Sequence, residues 1–270
     1  MQCHQPMQAA ALSHALATAI QAAHAGGEAL RQRFSTQLNI RTKSSPIDLV
    51  TDADVASEAA VMAVIKSRHP HDAFLAEESG ASGDADNVWI IDALDGTTNY
   101  THAVPHFAVS IGYQIGKTIA VGVIYDPMRD ELFAAVKGQG ASLNGSPIHT
   151  SEVSEMGKAM MATGFPYWLQ EKPDGVLSLF GAVARKAQSV RRFGSAALDL
   201  AWVAMGRQDG FFEMGLKAWD IAAGSLLVEE AGGKATGLKG EPLSLEQGHI
   251  CAATAPLHAS LIAISAQIDT

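Results

Sequence analysis

The stretch that most restricts what this chain can become is residues 89–100, WIIDALDGTTNY. The apolar run Trp89-Ile90-Ile91 reads as a buried strand that delivers Asp92 and Asp95, with Gly96, Thr97, Thr98 and Asn99 directly after. Side chains alternate along a strand, so residues three apart point to opposite faces of a regular one. The two carboxylates converge only if the chain turns between them, and Gly96, lacking a Cβ, makes such a turn accessible. A helical turn begun by Asp95-Gly96-Thr97 offers free amides that attract phosphate, beside carboxylates that attract hard cations such as Mg2+. A surface turn with a helix N-cap accounts for the same letters, because Asp and Thr are preferred caps.

Bulk properties narrow the field. The chain has 270 residues, 47% hydrophobic and 17% charged, enough for a large core and unlike a disordered protein. A formal net charge of −9 excludes a mainly electrostatic nucleic-acid binder, which needs a basic face. Cys3 and Cys251 supply neither a disulfide framework nor a zinc spacing, and both read as inert thiols. Without the layout of a secretory signal or an apolar run long enough for a bilayer, a cytoplasmic protein with no membrane partner is expected.

Along the chain, Ala9 to Phe34 predicts one long helix or a pair kinked at Gly26-Gly27, followed by a polar connection over 35–50 that contains Ser44-Ser45-Pro46. Val55 to His69 reads as a second helix, Ala73 to Ala76 as a short strand, and Ala81 to Asn87 as a loop. Strand text dominates next, at Val88–Ile91, Ala108–Ile115, Thr118–Tyr125 and Glu131–Val136, with turns at Gly116-Lys117, Asp126-Pro127, Gly138-Gln139-Gly140 and Asn144-Gly145. Beyond Pro147, strands at Met160–Thr163, Phe211–Met214 and Ile250–Ala253 alternate with helices at Val176–Ala187, Ala196–Met205 and Ala218–Ala231, before a last helix. The expectation is an α/β protein: an α+β lobe over residues 1–146 and an α/β lobe over 147–270, packed as one unit.

Other carboxylates also end apolar elements. Asp52 and Asp54 sit beside Thr51 at a helix start, where one is expected to cap and the other to be available for chemistry. Glu77 and Glu78 close a short strand, and Asp220 follows Trp219 at the start of an apolar helix. Gathered into one cleft, these groups repel one another unless cations neutralise them. Solvated loops and helix caps are the plain alternative at each position.

The segments Asp92-Ala93-Leu94-Asp95-Gly96-Thr97-Thr98-Asn99 and Trp219-Asp220-Ile221-Ala222-Ala223-Gly224 resemble the two signatures of the inositol monophosphatase family, at matching separation. Asp48 to Asp54 and Glu77-Glu78-Ser79 are similar to its two upstream motifs, so the likeness spans nearly the whole chain. VIYDPMRDELFAAVKGQGASLNG, ATGFP and RRFGSAALDLAWVAMGRQDGFFEMG look especially like the bacterial inositol-1-monophosphatases. The sequence departs from the family at Ala93, usually proline, and at Ala76, usually glycine; neither change removes a carboxylate.

The resemblance implies a layered αβαβα sugar-phosphatase-like fold and Mg2+-dependent hydrolysis of a small polyol phosphate monoester by water, with two or three ions per site. It makes Glu77, Asp92, Asp95, Asp220 and the carbonyl of Leu94 the metal ligands, and Thr97 with Asp54 a hydrogen-bonded pair that helps deprotonate water near Glu77. The amides of Gly96 and Thr97 would cradle the phosphate. Substrate contacts would come from Glu77, Leu94, Asp95, Gly96, Thr97 and Asp220, with Glu213 on polyol hydroxyls and Arg191 as a basic substrate-side residue. A rim carboxylate and a surface or interface ion pair are the plain readings of those last two. Lys43 reads equally as a solvated lysine and as a phosphate contact. A homodimer and sensitivity to lithium are implied as well.

Thr98-Asn99 favours inositol 1-phosphate over histidinol phosphate or 3′-phosphoadenosine nucleotides, whose branches typically carry lysine at position 98; fructose 1,6-bisphosphate is a further alternative. Some bacterial relatives also contact the transcription machinery, which makes a regulatory binding role a reading of another class. The pairs His69/His71 and His102/His106 lack helix-facing spacing and are expected in exposed loops. Ser195 lacks the setting of a serine nucleophile.

Overall fold

The computed structural model describes residues 4–43 and 49–268. Cys3, Asp48 and Ser44-Ser45-Pro46 lie outside these residues.

The first helix, α1 (His4–Arg33), is unbroken. Gly26 and Gly27 allow close packing here, and no kink forms: a Cβ on Gly26 would stand 2.7 Å from Val61 Cγ2, and one on Gly27 2.5 Å from Tyr125 Cε1. A small antiparallel pair, β1 (Ile40–Thr42) and β2 (Leu49–Thr51), occupies the segment expected to be a plain connection. Next comes α2 (Asp52–Arg68), capped by Thr51, whose side chain accepts from Ala53 N. Neither Asp52 nor Asp54 caps it; Asp54 instead reaches back to the Thr51 backbone.

An eight-stranded sheet follows: β3 (Ala73–Ala76), β4 (Gly80–Ser82), β5 (Asn87–Asp95), β6 (Ala108–Ile115), β7 (Thr118–Asp126), β8 (Glu131–Val136), β9 (Ala141–Leu143) and β10 (Ser146–Ile148). Its order is β10-β9-β8-β7-β6-β5-β3-β4, antiparallel except for the β3–β5 pair. The one-turn helix α3 (Thr97–Thr101) directly follows β5. The last strand crosses position 146, so this sheet runs two residues further than the change of pattern near Pro147 suggests.

A five-stranded mixed sheet is built from β11 (Met160–Thr163), β12 (Ser189–Arg191), β13 (Gly210–Glu213), β14 (Gly233–Thr236) and β15 (Ile250–Thr254), in the order β12-β11-β13-β15-β14. Its helices are α4 (Pro173–Ala184), α5 (Ala196–Ala204), α6 (Ala218–Glu230) and α7 (Ala255–Ser265).

Five layers result. Helices α1 and α2 cover one face of the large sheet, with Leu30, Val61, Ile65, Trp89 and Val123 in a shared core. Helices α5 and α6 fill the space between the two sheets, where Leu200, Ile221 and Leu227 meet Ile124, Phe133 and Phe211. Helices α4 and α7 close the far face, laying Leu179 and Leu261 over Met161 and Phe212. The middle layer is Ala- and Gly-rich because it must fit between two sheets: a Cβ on Gly122 of β7 would stand 2.7 Å from the Ala223 carbonyl of α6. The αβαβα expectation holds.

Cys251 is fully buried, and burial pushes its thiol up to about 12, as an inert core cysteine requires. Two histidines depart from the loop expectation. His106 is buried against Phe193 and Trp202, and His69 packs on Trp89 with its ring near Asp72. Aromatic neighbours distant in sequence drew them in. Among the described residues no helix is long and apolar enough to cross a membrane.

Candidate active site

The paired carboxylates of the central stretch meet through a β-bulge. Asp92 stands opposite Ser110 and Asp95 opposite Ala108, so three steps along β5 match two along β6. The extra residue rotates the strand and brings both side chains to the same end of the sheet, which a regular strand forbids. The convergence was expected from a turn at Gly96; it occurs one element earlier. Asp92 helps hold the bulge, its Oδ1 accepting from Leu94 N at 3.0 Å. Gly96 then adopts φ +102°, where a Cβ would crowd the carbonyls of His106 and Gly194 at 3.1 and 3.2 Å. That left-handed residue starts α3 and points its first turn at the carboxylates.

Each carboxylate is held from a different element. Asp95 Oδ2 accepts from Ser195 Oγ and from Ala197 N, both at 2.7 Å, at the start of α5. Asp220, in the first turn of α6, accepts from Lys217 N at 2.6 Å through Oδ2. Thr97 Oγ1 lies 3.0 Å from Asp54 Oδ1 and 3.1 Å from the Leu94 carbonyl. The other Asp54 oxygen accepts from Thr51 N at 2.8 Å and Thr51 Oγ1 at 2.6 Å. Glu77 Oε1 pairs with Lys43 Nζ at 2.8 Å, and Glu78 Oε1 with the same ammonium at 2.5 Å.

Glu77, Asp92, Leu94, Asp95, Gly96, Thr97, Glu213 and Asp220 all line a single cleft. Arg191 does not. It lies exposed at the end of β12, and Arg192, the first residue after the strand, lines the cleft instead. Lys43 is exposed and forms ion pairs with Glu77 and Glu78.

Electrostatics bind these groups together. Burial, then the charges of Glu77, Asp95 and Asp220, lift the Asp92 carboxyl well above its ordinary range. Burial also lifts Asp95, to about 6, against the hydrogen bonds from Ser195 and Ala197 that favour its ionised form. Asp220 is raised by burial and then by Asp95; Glu213 by burial, then Asp220 and Asp199. Asp54 rises through burial, and Glu78 reaches about 7 for the same reason, opposed by Lys43. Burial opposes the charge on Lys43, yet Glu77 and Glu78 outweigh it and raise the ammonium's pKa. A cleft of hard oxygen donors that suppress one another's ionisation fits a divalent cation, which removes the repulsion and restores the anions. Among the described residues no three His, Cys, Asp or Glu side chains have the closeness of a formed metal centre, and Glu77 is shared with Lys43.

Three contributors carried no signal of their own in the sequence. Ser195 was excluded as a nucleophile, and its role as an Asp95 partner emerges only from the α5 contact. Glu58, one turn after Asp54 in α2, accepts from the amides of Glu78 and Ser79 at 2.9 and 3.0 Å and fixes the loop behind Glu77. Asp199 is buried in the cleft wall, where Gln208 Nε2 donates to it at 3.0 Å.

An αβαβα sandwich with an acidic cleft at the bulged end of its large sheet is the architecture of the phosphatases of the inositol monophosphatase fold. A model of the inositol monophosphatase family matches residues 11–270, and the chain belongs to that family. The Nus factor SuhB of Escherichia coli strain K12 is 42% identical over 237 residues, 87% of this chain and 89% of the relative. An inositol-1-monophosphatase of Synechocystis is 42% identical over 248 residues, covering 91% and 86%. The solved inositol monophosphatase of Anabaena superposes with a TM-score of 0.88 at 43% identity, covering 96% of this chain and 97% of that one.

Proposed function

We propose that the protein hydrolyses inositol 1-phosphate, or a closely similar polyol phosphate monoester, to the free alcohol and phosphate with Mg2+. The observation that carries this reading is the gathering of Glu77, Asp92, Asp95, Asp220 and Glu213 along one cleft, beside the Gly96–Thr97 turn. Two or three Mg2+ ions, held by Glu77, Asp92, Asp95, Asp220 and the Leu94 carbonyl, would supply an acidified water and offset charge on the phosphate.

The chain's own groups do the remainder. The amides of Gly96, which caps α3, and of Thr97, its first residue, orient the phosphate. Thr97 takes a proton from water on its oxygen as its own proton passes to Asp54, 3.0 Å away. Asp54 suits that task because burial has already raised its proton affinity. Glu213, at the end of β13, accepts from hydroxyls of the alcohol and selects a polyol. Asp54→Asn should lower kcat by roughly a hundredfold with KM little changed.

Phosphate release from inositol 1-phosphate, fructose 1,6-bisphosphate, histidinol phosphate and a 3′-phosphoadenosine nucleotide, with and without Mg2+, tests the reading. Inositol 1-phosphate is expected to be fastest, only with Mg2+. Faster release from fructose 1,6-bisphosphate overturns the substrate assignment. By family resemblance we also expect a homodimer and inhibition by Li+.

A second reading draws on the name Nus factor borne by the relatives from Escherichia coli, Salmonella and Pasteurella. The corresponding role here is contact with the transcription machinery. In a deletion strain, full rescue by Asp95→Asn would make catalysis secondary; failure to rescue supports the enzyme.

A further inference from the structure

Residues 214–217 join Glu213, at the end of β13, to Asp220, in the first turn of α6. This link therefore sets the distance between the carboxylate read above as the polyol contact and the one read as a metal ligand. It is fastened from outside the cleft by the two residues that precede β15. His249 Nδ1 accepts from Gly215 N at 3.1 Å, and the Gly248 carbonyl accepts from Leu216 N at 2.9 Å. The next amide, Lys217 N, donates to Asp220 Oδ2 at 2.6 Å, so three successive amides are committed.

The fit leaves no slack. Gly248 has φ +65°, and a Cβ there would stand 1.8 Å from the Leu216 carbonyl oxygen. Gly215 has φ +76°, and a Cβ there would stand 2.7 Å from Trp168 Nε1. The link is thus pinned between Trp168 and the 248–249 segment. Glu213 and Ile250 are paired across β13 and β15, so His249 sits one residue beyond a strand register that is already set.

We propose that His249 is a positioning residue: by accepting from Gly215 it holds Glu213 and Asp220 at the separation that joins metal binding to recognition of the alcohol. The proposal rests on the metal and substrate reading above. It requires the ring nitrogen facing Gly215 to be unprotonated, with the proton on Nε2. An asparagine can supply an acceptor at the same place; alanine and leucine cannot.

Full-length wild type, His249→Asn, His249→Ala and His249→Leu are compared by thermal melting against Mg2+ concentration and by steady-state kinetics. Expected for His249→Ala is a rise of about tenfold in the Mg2+ concentration giving half-maximal stabilisation, with KM for inositol 1-phosphate rising more than kcat falls. His249→Asn should restore both values to near wild type. His249→Leu keeps the space filled and gives the same answer if alanine prevents folding. A wild-type Mg2+ midpoint in both the alanine and leucine variants overturns the proposal, as does an asparagine variant as impaired as either. A wild type that Mg2+ does not stabilise defeats the metal reading itself, a result distinguishable from the other two.

Discussion

Ser195 Oγ lies 2.7 Å from Asp95 Oδ2 although 100 residues separate them in the chain. The same serine caps α5, accepting from Leu198 N, and the α5 amide of Ala197 adds a second bond to the same aspartate oxygen. The large sheet and the middle helical layer are therefore joined at a carboxylate that lines the cleft. Ser195→Ala removes a cap worth about 1 kcal/mol and frees Asp95 to rotate. Melting and kinetics together should give a small loss of stability with a fall in activity of roughly tenfold or more. Loss of stability alone would assign Ser195 to the helix and not to the site.

Asp92 carries the strain of the cleft, because burial and three neighbouring carboxylates all oppose its charge. Asp92→Asn keeps the shape and removes the repulsion. In EDTA the variant should melt a few degrees above wild type, each kcal/mol being worth roughly 2–4 °C in a chain of this size. With Mg2+ added the order should reverse, and phosphatase activity should be lost. Equal melting of the two proteins in EDTA would refute the repulsion.

Gly164 follows β11 directly, and a Cβ there would stand 2.1 Å from Glu213 Oε2. Gly164→Ala must push the Glu213 carboxylate aside. On the proposed function we expect a KM for the polyol ester raised several-fold, beyond any change in kcat, since the group proposed to select the alcohol is displaced and those proposed for hydrolysis are not. Glu213→Gln, which keeps the volume, provides the comparison.

His106 ties stability to pH. Burial, with a smaller contribution from Arg129, lowers its pKa to about 4, and Nε2 has no hydrogen-bond partner among the described residues. The unfolded chain takes up this proton near pH 6.5 and the folded one only near 4, so this contribution is complete above 6.5 and is lost as pH falls towards 4. The full swing is about 3 kcal/mol. Denaturant unfolding of His106→Phe against wild type should show a smaller loss between those limits; parallel curves would place the histidine's ring in contact with water.

Local sequence determined which carboxylates meet in the cleft and the identity of most elements. Asp92, Asp95, Glu77 and Asp220 were legible because a carboxylate at the end of an apolar run is a local signal, and helices such as Ala196–Ala204 were legible because a 3.6-residue period is one too. Short strands such as β9, β12 and β14 gave no such signal, being stabilised by neighbours paired from elsewhere. The bulge that unites Asp92 with Asp95 depends on register against β6, and the choice of Arg192 over Arg191 on where β12 ends against β11. Ser195 on Asp95, Glu58 behind Glu77 and His249 on Gly215 are contacts between segments distant in the chain. Burial in the assembled fold, which no single segment contains, is what turned a set of ordinary carboxylates into a cleft that resists its own charge.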